Sequence, residues 1–205
     1  PEAAVLVTSQ AAERVYRSSG PDCRVRTQLT VGQGGWLEWC PQETILFERA
    51  RLRRILRLDL AGDARAMLGE ILLFGRQASG EDIGAGFLLD RIEVRRDGML
   101  QWRDGFRLDG AYATVLGAAA GLSGARAAAT FVYAAPDATD LLDRAREWLE
   151  AAGVRAGATL VNGLLVARFL AAEALALRRA FALFWCRFRA AAAGLPPMLP
   201  RLWHV

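Results

Sequence analysis

Five carboxylates sit where a charge is costly. Glu38 and Glu43 lie inside the run Leu37-Glu38-Trp39-Cys40-Pro41-Gln42-Glu43-Thr44-Ile45-Leu46-Phe47, and Glu70, Glu81 and Asp104 lie beside apolar or glycine-rich strand sequence. A carboxylate in such surroundings raises the free energy of the fold unless it is paired. Two outcomes are open. Each acid pairs with one of the chain's many arginines, or several of them line a wet interior path for a hydrated divalent cation. Oxygen ligands hold such an ion weakly enough to let it leave, whereas a nitrogen or sulfur cage would trap it.

The groups needed for covalent catalysis do not assemble. The single histidine, His204, is next to last, so neither a Ser-His-Asp nor a Cys-His set can be built. Cys23, Cys40 and Cys186 are odd in number and widely spaced, which argues against a disulfide framework and against a CxxC zinc site. A protein zinc site takes about four ligands. Gly32-Gln33-Gly34-Gly35 lacks the Lys and the following Ser or Thr of a phosphate-cradling loop. The expectation is a protein that is not an enzyme and holds no tightly bound cofactor.

The elements that must position the acids read mostly as strands. Cys23–Val31 alternates, with Val25, Thr27, Leu29 and Val31 on one face. Arg51–Leu60 alternates too, with Leu52, Leu56, Leu58 and Leu60 sharing a face with Arg54. Period two over this length is a strand signature with one face solvated or ion-paired. Val5–Thr8 is a short β-branched run. Asp97-Gly98 between Phe87–Arg95 and Met99–Leu108, and Asn162-Gly163 between Ala158–Val161 and Leu164–Leu170, are hairpin signals. Pro41 cannot donate to a ladder, so it marks an edge, a bulge or a strand end. Gly117–Ala129 reads as a loop or as small-residue packing. Helices are expected over Asp137–Ala152, with Asp137 or Thr139 as N-cap and Gly153 as stop, and over about Ala171–Ala193, ahead of Gly194. The second presents Leu175, Leu177, Phe181, Phe184, Trp185 and Phe188, a stripe wide enough for core packing with part left to face a partner.

The 205 residues, 53% of them apolar, suffice to bury one core, and residues 1–205 read as a single unit. The apolar stretch nearest to a membrane span, Leu170–Ala193, is broken by Glu173, Arg178, Arg179, Arg187 and Arg189. With no signal-peptide pattern, a cytoplasmic location is expected. All 26 basic residues are Arg and the formal charge is +4. The arginines are spread through the chain and not clustered with stacking aromatics, which argues against nucleic acid.

Several stretches, in order, resemble one family. They are Val15-Tyr16-Arg17-Ser18, the Leu37–Phe47 run with its Leu-Glu-Trp…Pro-Gln-Glu wording, Gly75-Arg76-Gln77-Ala78-Ser79-Gly80-Glu81, Leu164-Leu165-Val166-Ala167-Arg168-Phe169-Leu170, and Pro200-Arg201-Leu202-Trp203. Together they resemble the urease accessory protein D family (UreD, called UreH in some bacteria). The 205 residues begin at Pro1, already in what looks like a family strand, so the family's usual N-terminal segment, with its Gly-Gly…Gly-Gly-Asp motif, is not among them; a fragment, a processed form and a naturally short version are all open. Where the family usually shows Lys before the aromatic-Tyr-Arg-Ser stretch, this chain has Glu13-Arg14.

The resemblance implies a mainly β, elongated, stacked-strand (β-helix-like) body with about two helices in the C-terminal part. It implies a scaffold of urease activation that binds apo-urease and UreF, works with the GTPase UreG through the complex, and passes nickel transiently toward the urease active site. A homodimer within the accessory complex belongs to the same expectation; a membrane does not. Glu70 and Asp104 fall where the family carries acids and lead the nickel-path candidates, followed by Glu38, Glu43 and Glu81. Trp203, Arg201, Phe188 and Trp185 are the candidates for the UreF interface. Trp203 leads, since a ring near a terminus often has no core to enter. The alternative reading is a β-rich protein-binding module without the nickel role.

Overall fold

The computed structural model describes residues 3–76, 80–81 and 83–204. Pro1, the Gln77-Ala78-Ser79 part of the Gly75–Glu81 stretch and the His204 side chain lie outside the described residues. In chain order the elements are β1 (Ala4–Val7), β2 (Glu13–Val15), β3 (Cys23–Val31), β4 (Trp36–Trp39), β5 (Thr44–Leu46), β6 (Arg51–Leu60), β7 (Arg65–Phe74), β8 (Ala85–Arg96), β9 (Met99–Ala111), α1 (Tyr112–Gly117), β10 (Ala127–Ala134), α2 (Leu142–Glu150), β11 (Arg155–Val161), β12 (Leu164–Ala171) and α3 (Ala174–Ala193).

The mainly β expectation holds. One sheet runs β3-β6-β8-β9; the other runs β1-β4-β7-β10-β12-β11, with β5 also on β7 and β2 on β5. From β3 to β8 the chain passes back and forth between the two sheets. Its strands stack in parallel, β3 on β6 on β8 in one sheet and β1 on β4 on β7 in the other. Two hairpins then close the sequence of strands, β8–β9 and β11–β12. Asp97 and Gly98 (φ 49° and 79°), like Asn162 and Gly163 (φ 49° and 79°), both take positive φ, as the tight primed turn of a hairpin requires.

The sheets face each other, and α2 and α3 cover the far side of the larger one. The alternation along β7 shows how one strand serves both layers. Ala66, Leu68, Leu72 and Phe74 pack toward the four-stranded sheet, whereas Met67 and Ile71 pack with α3. Gly69 sits beneath α3, where an added Cβ would come within 2.6 Å of Phe181 and 2.9 Å of Trp185. The helix therefore beds its rings directly onto backbone. Phe131 of β10 meets Phe184 and Phe188 at 5.0 and 4.7 Å between ring centres, in edge-on contacts.

Some expectations are corrected. Gly117–Ala129 is not simply a loop, since β10 begins at Ala127 and runs in the middle of the larger sheet. The helix expected over Asp137–Ala152 starts as a 3-10 turn over Ala138–Leu141 before α2, and neither Asp137 nor Thr139 caps it with a side chain. Asp137 is taken instead by Arg65 and Tyr133, each at 2.7 Å. The helix expected from about Ala171, α3, starts at Ala174, three residues late, because β12 extends through Ala171. It ends as expected, with Gly194 left-handed at φ 62°.

Candidate functional site

Apolar side chains fill the space between the sheets in two separate groups. One surrounds Leu56, Leu58, Leu68 and Val132, and the other surrounds Leu46, Leu52, Leu72 and Leu88. A polar seam crosses the sandwich between them. At its centre is Arg54, only 5% exposed, with Glu70 at 6%. One Arg54 Nη is 2.7 Å from Glu70 Oε2 and donates to Thr44 Oγ1 at 2.9 Å. Its Nε and other Nη form a fork on the two oxygens of Asp90, at 2.8 and 2.7 Å. Trp39 Nε1 donates to the remaining Glu70 oxygen at 2.8 Å.

Strand register explains the convergence. Arg54 of β6 is directly opposite Asp90 of β8, and Thr130 of β10 is directly opposite both Glu70 of β7 and Arg168 of β12. At one edge of the sandwich, Glu13 of β2 accepts a 3.4 Å bond from Thr44. At the other edge, Arg168 reaches across to Asp104 of β9 at 2.7 Å and donates to Thr130 at 3.0 Å.

Two cavities enter the seam. One of about 400 Å³ is lined by Ser9, Gln10, Glu13, Thr27, Thr44, Arg54 and Glu70. The other, of about 190 Å³, is lined by Glu70, Asp90, Asp104, Thr130 and Arg168 on its polar side and by Leu72, Ile92, Phe106 and Leu122 on its apolar side. Glu70 belongs to both. Four carboxylates (Glu13, Glu70, Asp90, Asp104) line these cavities against two guanidiniums (Arg54, Arg168), so the walls carry excess negative charge. Burial pushes the Glu70 carboxyl above its ordinary value. Asp90 acts the same way, while Arg54 and the Trp39 N–H oppose them. Burial disfavours charge on Arg54, but Glu70 and Asp90 outweigh it and hold the guanidinium protonated. Among the described residues no three His, Cys, Asp or Glu side chains converge as a metal cage would require.

The sequence candidates divide on this geometry. Glu70 and Asp104 line the same cavity. Every one of the five acids has an arginine partner: Arg189 for Glu38, Arg178 for Glu43, Arg54 for Glu70, Arg76 for Glu81 and Arg168 for Asp104. Glu38, Glu43 and Glu81 line neither seam cavity. Glu38 is 1% exposed; its two oxygens share the Arg189 Nε–H at 2.8 and 2.9 Å and one accepts from the Trp36 indole at 3.1 Å, which fixes α3 to β4. Glu43 pairs with Arg178 of the same helix. Glu81 pairs with Arg76, whose hydrogen bond holds its carboxyl below the usual range.

The Pro41-Gln42-Glu43 corner has a structural task. Gln42 Nε2 donates to the carbonyls of Gln10 at 3.1 Å and Leu202 at 2.7 Å, tying two distant segments to the break between β4 and β5. The expectation that the Trp203 ring has no core to enter is corrected. Trp203 is 5% exposed, stacks on Phe181 at 6.3 Å, donates from Nε1 to Cys40 O at 3.0 Å and lies under Arg178. Trp185 and Phe188 are fully buried as well, against β10. Of the four interface candidates only Arg201 is exposed.

Sequence reasoning passed over Arg54, Asp90, Glu13, Thr44 and Arg168 as site residues. One signal was available: Arg54 stands on the leucine face of an alternating strand, where a solvated arginine does not belong.

The comparisons give this β body with its buried ionic seam a family. The chain is 43% identical to the urease accessory protein UreD of Magnetococcus marinus, over 100% of this chain and 72% of that protein. It is 46% identical to that of a Methylobacterium species, over 98% and 71%, and 45% identical to UreD 2 of Methylorubrum populi, over 98% and 67%. These relatives are urease accessory proteins, which serve urease maturation and are not themselves enzymes. The family model described as UreD urease accessory protein matches residues 1–204. The chain belongs to the UreD family.

Proposed function

We propose that this chain is a scaffold of urease maturation that binds apo-urease and UreF, with UreG joining through the complex, and that its polar seam is a route along which nickel moves toward urease. The observation carrying the reading is that Glu70 and Asp104 share one cavity while Glu70 also borders a second, so acids lead inward from both edges of the sandwich. A divalent ion moving through such walls exchanges some of its water for single carboxylate oxygens and is never fully caged. The excess of carboxylates over guanidiniums favours cations over anions along the seam.

The arginine pairs do not remove this capacity at the edge. Asp104 is 27% and Arg168 48% exposed at the side chain, and a pair so placed is worth only about 0–1 kcal/mol, so an arriving divalent ion can compete with it. The test is urease activation in cells carrying Glu70→Ala/Asp104→Ala. The expected result is lower urease activity with the variant still folded and still co-purifying with UreF and apo-urease. Full activation by the double variant would remove the route. Failure of the parent chain to retain UreF and urease would remove the scaffold and leave a β-rich binding module with another partner.

A further inference from the structure

We propose that Arg54 is the gate of this route, its guanidinium occupying the place between Glu70 and Asp90 that a divalent cation must take to cross from one cavity to the other. The inference rests on the seam being a cation route. Arg54 lines the larger cavity, and the two carboxylates it grips, Glu70 and Asp90, line the smaller one. Its Nε and both terminal nitrogens are engaged, on Glu70, Asp90 and Thr44, at 2.7–2.9 Å. The oxygens a crossing ion would use at this point are therefore already serving a cation that belongs to the chain.

The contrast with the edge is one of depth. Arg168 and Asp104 meet partly in solvent, where their attraction is screened. Arg54, Glu70 and Asp90 meet in the buried centre, where opposite charges attract several times more strongly at the same distance. A hydrated ion alone does not displace such a group. The guanidinium must swing toward the larger cavity, whose volume of about 400 Å³ gives it room. That motion bares Glu70 and Asp90 together with the Thr44 hydroxyl. Return of the fork behind the ion restores the barrier, so passage through the centre is a swap of one cation for another.

The test is Ni2+ titration of the purified full chain by isothermal titration calorimetry. Arg54→Met keeps an unbranched stem and removes the fork. It is expected to bind Ni2+ at least tenfold more tightly than the parent chain, and Arg54→Met/Glu70→Gln/Asp90→Asn is expected to return to the parent level. Because Arg54→Met leaves two buried carboxylates short of a cation, Arg54→Lys is measured beside it. Its ammonium keeps the charge but cannot fork across Asp90 while holding Glu70, and a gain of about threefold is expected. Affinity equal to the parent chain in whichever of these variants folds, or tight binding that survives in the triple variant, overturns the gate. Urease nickel content in cells expressing the same variants separates the two claims. Tighter binding by Arg54→Met, with urease nickel unaffected by every variant, keeps Arg54 as the occupant and removes the delivery reading.

Discussion

Truncating Trp203 to Ala is expected to destabilise the fold strongly, although only two residues follow it in the sequence. A tryptophan in this setting removes about 200 Å² from water. At roughly 25 cal/mol per Å² this is worth about 5 kcal/mol, in line with the roughly 3–5 kcal/mol seen when a buried Trp is cut to Ala. The indole also satisfies the Cys40 carbonyl at 3.0 Å and gives Arg178 a face at 4.7 Å. The assay is thermal unfolding followed by circular dichroism. At about 2–4 °C per kcal/mol for a chain of this size, Trp203→Ala should lower Tm by roughly 6–20 °C. Trp203→Phe, which keeps a ring and loses only the N–H donor, should lower it by a few degrees. A Trp203→Ala melt within about 2 °C of the parent would refute the packing argument. The same reasoning changes how an interface is to be tested: lost UreF capture by Trp203→Ala would report unfolding as readily as contact, so exposed Arg201 is the cleaner probe.

Three further outcomes follow from the packing. Arg189→Ala strands the Glu38 carboxylate inside the protein and should destabilise by about 3–5 kcal/mol, as loss of one partner of a buried pair does; urea denaturation should show Glu38→Gln/Arg189→Met to be much milder, and equal losses would contradict a buried pair. Gly69→Ala pushes a methyl into Phe181 and Trp185 and should cost about 1–3 kcal/mol by overpacking, read as a lower denaturation midpoint with unchanged m-value. For Glu70 the folded carboxyl ionises at higher pH than the unfolded one. The folded state thus binds more protons in the window from about 4.3, the ordinary glutamate value, up to the raised folded value. This group's contribution to stability falls as pH rises through that window and is flat above it. Glu70→Gln should remove that slope from a Tm-versus-pH curve, and an unaltered slope would contradict the burial argument.

How much of this was legible in sequence depended on exposure. β3 and β6 carry polar residues on one face, so their alternation marked both boundaries. Both hairpin turns were marked by glycines with positive φ. β7 and β10 received no strand bounds because the sheet and the helices bury them on both faces. Their residues, Ala66 through Phe74 and Ala127 through Ala134, therefore run nearly continuously apolar with no period to read. The Asp137 cap failed because a tertiary partner, Arg65, outbid the local helix terminus for the carboxylate.

The seam was only half visible for a related reason. Single acids in apolar sequence could be recognised one at a time. Which of them meet depends on strand order, and β6 pairing with β3 and β8 while β7 pairs with β4, β5 and β10 is not written in any local pattern. Glu38 and Glu70 look alike in sequence. The larger sheet separates them, one toward α3 and the other toward the seam.

The separation of those two acids supplies the most direct test of the nickel route. Urease is matured in cells with the parent chain, with Glu70→Gln/Asp104→Asn, or with Glu38→Gln, at matched levels of the accessory proteins. The nickel content of the purified urease is then measured by inductively coupled plasma mass spectrometry. The account predicts a several-fold loss of nickel with the seam variant and near-parent nickel with the helix-facing one. Equal nickel in all three, or a loss confined to Glu38→Gln, would contradict it.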